Sequence, residues 1–386
     1  MKKLKLCVVT GSRAEYGLLY PLLCKIKWSS RTDLQLVVTG SHLATEFGAT
    51  YRQIKQDGFR IAFKIPILGR WADACAVTKA MGRAVTGFGE AYKQLIPDWV
   101  IVLGDRYEIL AAVSAALIAK IPVAHIAGGD ITEGAFDDAI RHAITKMSHL
   151  HFVTNAHSAR CVRQMGEDPK NILNVGHLGL DYIRRMKFHS RARLERLLGF
   201  KFHGKNILVT FHPVTLSETS SETQFAELLN ALGRLDQNVG VIITKPNADP
   251  GGLKLIAMLT RFAKGRRNVK IFPSLGQELY LNVMRCVDAV VGNSSSGIYE
   301  APSFKVPTVN IGDRQKGRLL AASVIGCPPE ARAISTAIRR AFSKKCADVR
   351  NPYGGGNVAQ KILAKIRSVN EPRKILKKRF AVLERV

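Results

Sequence analysis

The 386-residue chain has no CxxC pair, and its seven cysteines (7, 24, 75, 161, 286, 327 and 346) are odd in number and scattered. That excludes a disulfide scaffold and a zinc-ribbon spacing. Most of the cysteines stand in apolar contexts and read as buried, reduced thiols of a cytosolic protein. No apolar run approaches the length of a membrane span. The N-terminus passes from Met1-Lys2-Lys3 straight into a strand pattern, so neither a membrane anchor nor a signal peptide is expected. Acidic residues are scarce too: 30 Asp and Glu stand against 58 Lys and Arg, a formal net charge of +28. The basic residues crowd into 184–205 and 361–385. Neither tract is interleaved with aromatics, and the chain carries no helix-turn-helix or RNA-recognition signature. Nucleic acid is therefore not an expected partner, and the basic balance fits an anionic small molecule or a solvated surface. Internal repeats and low-complexity tracts are also missing.

What is present is an ordinary globular composition, 46% hydrophobic and 23% charged, at a length that suggests two domains. Short apolar runs that do not alternate read as strands buried on both faces, and they alternate with helical patterns. The first set has strands at 5–10, 34–39, 59–67, 100–103, 123–126, 149–154 and 172–176, with helices between them that include a long one over 73–96. Residues 180–204 form a basic connector. A second set has strands at 207–211, 240–244, 269–272, 289–291 and 308–311. Two closing helices follow the glycines at 354–356 and Pro372. The expected fold is α/β, two doubly wound Rossmann-like domains facing a cleft. The first is placed at 1–180 and the second at 181–369, with a C-terminal helix at 370–386 packing back on the first.

Residues 100–142 are the centre of the chemistry. An apolar strand ends in Gly104-Asp105-Arg106, and a second ends in Gly128-Gly129-Asp130. A helix then opens with Asp137-Asp138, acids where the helix dipole favours them. Acids at successive strand tips mark the rim of an open α/β sheet, where ligands bind. Gly11-Ser12-Arg13 after the first strand is a glycine turn that suits phosphate, although it is not GxGxxG and also fits a plain strand-to-helix turn. The run 292–297, GNSSSG, lets small donors approach an anion at the start of the helix carrying Glu300. His212 stands at the first strand tip of the second set, and Arg314, Lys316 and Arg318 follow its last strand. A phosphate-friendly wall opposite a carboxylate-rich one suits a nucleotide-sugar enzyme.

Along nearly its whole length the chain resembles the hydrolysing UDP-N-acetylglucosamine 2-epimerases of sialic and related nonulosonic acid synthesis. The resemblance is carried by TGSRAEYG (10–17), VTGSHL (38–43), LGDRYE (103–108) and HIAGGDITEGAFDDAIRHAITKMSHLHF (125–152). It continues through FHPVT (211–215), VGNSSSGIYEAP (291–302), VNIGDRQKGR (309–318) and NPYGGGNVAQKI (351–362), in that order and spacing. It implies a glycosyltransferase-B fold with UDP held mainly by the C-terminal domain, and chemistry without metal or nicotinamide. UDP would be eliminated across C1–C2 of the sugar, and water added with inversion at C2. From UDP-N-acetylglucosamine the products would be UDP and N-acetylmannosamine. UDP-N,N'-diacetylbacillosamine is the alternative substrate, and a UDP-sugar-dependent glycosyltransferase of the same fold the alternative class.

The same resemblance assigns roles to residues. Asp105 and Asp137 match catalytic carboxylates, and His212 matches a histidine near the phosphates. Arg13, Ser294, Ser295, Glu300 and Arg314 match contacts to UDP, and Arg106 would lie beside the pyrophosphate. Arg141, four residues after Asp137, is placed to keep that aspartate ionised. Ala127 stands where many relatives carry a third catalytic glutamate. Asp130 is expected to take over that role, its carboxylate free to swing beside two glycines, with Glu133 as the other candidate. A UDP-sugar is the expected partner, membrane and nucleic acid are not, and a cytoplasmic homodimer or homotetramer is expected.

Overall fold

The computed structural model describes residues 3–69, 74–132, 137–214, 219–246 and 252–382. It divides into two compact units, one comprising 3–130, 137–182 and 353–382, the other 131–132 and 183–352.

The first unit begins β1 (Leu4–Thr10), α1 (Arg13–Lys27), β2 (Thr32–Thr39), α2 (Tyr51–Gln56), β3 (Ile61–Ile65), α3 (Ala74–Leu95) and β4 (Trp99–Leu103). It continues α4 (Tyr107–Ile118), β5 (Val123–Ile126), α5 (Asp137–Met147), β6 (Leu150–Val153), α6 (Ala156–Gln164), β7 (Ile172–Asn174) and the short α7 (Gly179–Ile183). The strands form one parallel sheet in the order β3-β2-β1-β4-β5-β6-β7. Every residue of β4 and β5 is buried, because helices cover both faces: Leu6, Val8 and Ile101 pack under α1, while Cys7, Val9, Val100 and Val102 pack under α3 and α4. The order reverses between β1 and β4, and ligands in such sheets bind at the carboxyl ends of the strands beside that reversal.

The second unit holds α8 (Arg191–Leu198), β8 (Lys205–Thr210), α9 (Ser221–Gly233), β9 (Val239–Thr244), α10 (Gly252–Ala263), β10 (Val269–Phe272) and α11 (Gly276–Cys286). β11 (Ala289–Gly292), α12 (Ser296–Tyr299), β12 (Thr308–Ile311), β13 (Val324–Cys327) and α13 (Ala331–Ser343) follow. Its parallel sheet runs β10-β9-β8-β11-β12-β13, so the reversal lies between β8 and β11. Gly292 pairs with Thr210 across that reversal at a φ of +136°, and a Cβ there would sit 1.9 Å from the Thr210 carbonyl oxygen. Only glycine fits at this point of closest approach.

Several expectations need correction. The return to the first unit begins at Tyr353, not at 370. Helix α14 (Val358–Ser368) inserts Val358, Ala359, Ile362, Leu363 and Ile366 into the core beside α1, and the Asp181 carboxylate accepts from the amides of Val358 and Ala359 at its start. The expected helix after Pro372 is a short 3-10 turn, Pro372–Leu376. β13 was not expected at all. Gly326 breaks its apolar run, and as an edge strand it is only partly buried. All seven cysteines are free as expected, but only Cys7 and Cys346 are buried, and Cys75 is exposed.

The C-terminal segment is tied to the first unit through Glu167, whose buried carboxylate accepts from Lys146 (2.6 Å), Lys378 (2.7 Å) and His151 (2.9 Å). Lys378 also donates to the carbonyls of Lys146, in the last turn of α5, and Ser148, just past it, a favourable place for a cation. Burial alone raises the Glu167 pKa, but the three donors outweigh it and hold it at about 2, against an ordinary 4.5. A folded-state pKa below the unfolded one stabilises the protein above the unfolded value, and that stability is lost as pH falls towards 2. The depression corresponds to about 3 kcal/mol at neutral pH. All three tryptophans (28, 71 and 99) precede residue 130, so their fluorescence reads the first unit. Denaturant unfolding followed this way should show an acid loss between pH 4.5 and 2 that Glu167→Gln removes, at the cost of a lower midpoint at pH 7.

Candidate active site

At the tip of β1 the helix start is already occupied. Ser12 and Glu15 form a capping box, and the Glu15 carboxylate accepts from the amides of Gly11 (2.8 Å) and Ser12 (3.0 Å). The turn therefore spends these amides on its own acid rather than holding them out for phosphate as expected. Arg13, the exposed first residue of α1, is what the turn offers outward. Glu108 lies fully buried beneath Gly11, where a Cβ would come within 2.5 Å of its Oε1. The same oxygen receives Arg106 Nε at 2.6 Å, which fixes that half-exposed guanidinium. Burial, reinforced by Glu108, pushes Glu15 up to about 8.

The tips of β4 and β5 and the start of α5 meet at Arg141. This buried guanidinium donates to the Asp130 carbonyl (2.6 Å), to Asp138 Oδ1 (2.9 Å) and to Asp105 Oδ2. Its ion-pair partners are thus Asp105 and Asp138. The pKa of Asp137 is raised, by burial first and by the nearby Asp105 charge second, against the lowering effects of Arg106 and Arg141. Arg141 does favour the ionised form of Asp137, as expected, but burial and the Asp105 charge outweigh it. Asp130 is buried, and its Oδ1 accepts from Ser158 Oγ on α6 (2.5 Å) and from Thr154 Oγ1 just after β6 (2.7 Å), so its carboxylate is anchored rather than free to swing. Ala127 adopts a left-handed φ of +65°. Beside it His125 is fully buried, linked to the Gly104 carbonyl at 2.8 Å and to Thr145 at 3.2 Å, and burial lowers its pKa to about 3. Glu133 lies outside the described residues.

In the second unit the organising residue is Asn293, fully buried after β11. Its side chain accepts from the His212 amide (2.7 Å) and donates to the His212 carbonyl (2.8 Å). Its carbonyl receives Gln315 Nε2 (2.7 Å) and Arg314 Nη1 (3.1 Å). Asn293 thereby ties His212, after β8, and Arg314, after β12, to the tip of β11 between them. Burial, with Arg314 adding to it, holds His212 at about 3, neutral at physiological pH. Ser294 and Ser295 precede α12, whose four residues end before Glu300. Glu300 is therefore the helix cap and not carried within the helix as expected. Burial pushes its carboxyl up to about 8.

Each unit thus has its share of the expected residues at or next to its own sheet reversal: Arg13, Asp105 and Arg106, with Asp130 and Asp137 one strand further on, in the first, and His212, Ser294, Ser295 and Glu300, with Arg314 one strand further on, in the second. Sequence reasoning passed over Asn293, Gln315, Glu15 and Glu108. Each stands inside a quoted motif within four residues of a strand-tip glycine, and an amide or acid at that spacing is the signal that would have found them. Among the described residues no three His, Cys, Asp or Glu side chains form a ligand set for a metal ion, and no helix is long and apolar enough to cross a membrane.

Two Rossmann-like units with polar and charged residues at both reversals define an α/β protein of glycosyltransferase-B type. The family model for UDP-N-acetylglucosamine 2-epimerase matches residues 25–367, and the chain belongs to that family. It is 42% identical over 326 residues to the GDP/UDP-N,N'-diacetylbacillosamine 2-epimerase (hydrolyzing) of Campylobacter jejuni, covering 84% of each chain. It is 36% identical over 374 residues to the UDP-N,N'-diacetylbacillosamine 2-epimerase (hydrolyzing) of Legionella pneumophila, covering 97% of this chain and 98% of the relative. In fold it matches the UDP-GlcNAc 2-epimerase from Neisseria meningitidis bound to UDP-GlcNAc. The TM-score is 0.79 at 18% identity, with 95% of this chain and all of that one covered.

Asn293→Ala should destabilise the second unit by about 2–4 kcal/mol, because it strands the His212 amide and carbonyl. Chemical denaturation followed by circular dichroism would measure the loss, and a change within 0.5 kcal/mol would show that Asn293 is not the organising contact.

Proposed function

We propose that the protein is a hydrolysing UDP-sugar 2-epimerase of nonulosonic acid synthesis, releasing UDP and a free 2-acetamido sugar inverted at C2. The observation that carries this reading is the gathering of Asp105, Asp137 and Arg141 at the first reversal, in a chain of this family. Elimination of UDP across C1–C2 needs a base for the C2 proton and a partner for the departing diphosphate. In this reading Asp105, which Arg141 holds, acts as the base. Asp137, with its pKa raised by burial, is suited to hold a proton and return it when water adds. Asp130 acts as a positioning residue through its grip on Thr154 and Ser158.

UDP falls to Arg13, Arg106, His212, Ser294, Ser295, Glu300 and Arg314. A ribose that donates its hydroxyls to Glu300 would favour the ionised carboxylate, against the burial that now raises its pKa. Between the two candidate substrates, UDP-N,N'-diacetylbacillosamine is favoured by the names of the relatives at 42% and 36% identity. UDP-N-acetylglucosamine, the first expectation from the sequence, is the second reading.

Turnover of each nucleotide sugar without any acceptor, in deuterated water, tests the proposal. UDP and a free sugar deuterated at C2 should appear together, faster with the diacetylated substrate. Sugar release that requires an acceptor would make the protein a glycosyltransferase. Asp105→Asn and Asp137→Asn should each slow turnover by about a hundred- to ten-thousand-fold with UDP affinity kept. Glu300→Gln and Arg13→Ala should weaken UDP about tenfold or more by calorimetry, as loss of a charge-assisted bond requires.

A further inference from the structure

Behind the serine-rich turn of the second unit lies an unbroken chain of hydroxyls. Ser296 Oγ donates to Ser294 Oγ at 3.0 Å. Tyr280, on α11, stands 2.7 Å from Ser296 Oγ and 3.1 Å from Thr210 Oγ1, and Thr210 stands 2.7 Å from Thr244 Oγ1. Each hydroxyl has one proton, and that arithmetic fixes the direction. Ser296 spends its proton on Ser294, so Tyr280 must be the donor to Ser296. Tyr280 is then an acceptor from Thr210, and Thr210 an acceptor from Thr244. Thr244 has a competing acceptor in the Val209 carbonyl, but at 3.5 Å that bond is much the weaker. The chain runs one way, from Thr244 to Ser294.

Ser294 ends the chain as an acceptor from the hydroxyl and the amide of Ser296, and the Tyr280 phenol also interacts with its hydroxyl. We propose that Tyr280 is a positioning residue that aligns this chain so that the Ser294 hydroxyl is presented as a donor to the diphosphate of the nucleotide. This rests on the reading of residues 292–300 as the UDP-holding turn. Without the phenol, Ser296 loses its donor. Ser294 is then free to turn its proton inward to Ser296, and the ordered donor becomes one of several rotamers. The effect acts on the phosphates and leaves the nucleoside untouched, which a merely structural role would not do.

The test is calorimetric titration of the full chain with UDP, and with uridine by displacement of UDP. Tyr280→Phe should weaken UDP about five- to tenfold and leave uridine unchanged. In a Ser294→Ala background, Tyr280→Phe should have no further effect. Thr244→Val, at the far end of the chain, should weaken UDP about two- to threefold, again without affecting uridine, and it serves where Tyr280→Phe proves unstable on melting. Unchanged UDP affinity, equal losses for UDP and uridine, or full additivity with Ser294→Ala would overturn the proposal. A wild-type protein that binds no UDP would overturn the functional reading itself, before any variant is compared.

Discussion

Arg141 is a buried cation with three acidic or carbonyl acceptors drawn from three different segments: Asp105 after β4, the Asp130 backbone after β5, and Asp138 on α5. Removing the guanidinium from water is costly, and only this full set of acceptors offsets it. The same requirement holds the segments in place, because none can move without stranding a charge. The carboxylates at the first reversal therefore owe their spacing to a residue that is itself screened from solvent. The second unit solves the equivalent problem with a neutral group. Asn293 uses both ends of one amide, and its own carbonyl, to join the tips of β8, β11 and β12.

The two units share a further economy. In each, the sheet reversal brings two strand tips so close that side chains must be absent from one of them. Gly11 lies over Glu108, and Gly292 faces the Thr210 carbonyl. Absent side chains on one strand make room for a functional group from its neighbour, so the glycines in both motifs are as much about the polar group beneath them as about any ligand above.

The sheets were legible in the sequence because strands buried on both faces announce themselves as unbroken apolar runs, and β4, β5, β8 and β11 all do. β13 was not legible, since an edge strand interrupted by Gly326 carries no such signal. Nor was the destination of α14. Its apolar face is plain, but nothing local says that the partner is α1, more than three hundred residues earlier in the chain. At the site, residue types were readable and their engagements were not. Asp130 looked free beside Gly128 and Gly129, yet its partners come from the end of β6 and the start of α6. Arg141 looked like a partner of Asp137 by helical spacing, whereas tertiary placement gave it Asp105 and Asp138. Tyr280 left no mark, because an aromatic on an amphipathic helix reads as core.

Because α14 completes the core around α1, the first unit cannot close until residues 358–368 have been made. During synthesis the second unit, whose strands all lie within 183–352, has them in hand while the earlier unit waits with the apolar face of α1 uncovered. Domains usually mature in the order they are translated, and here that order is inverted at the final step. A chain ending between residues 352 and 358 has every residue of the second unit but lacks α14, and so has an incomplete first unit. Quality control acting on such chains would find its exposed apolar surface at the N-terminal end.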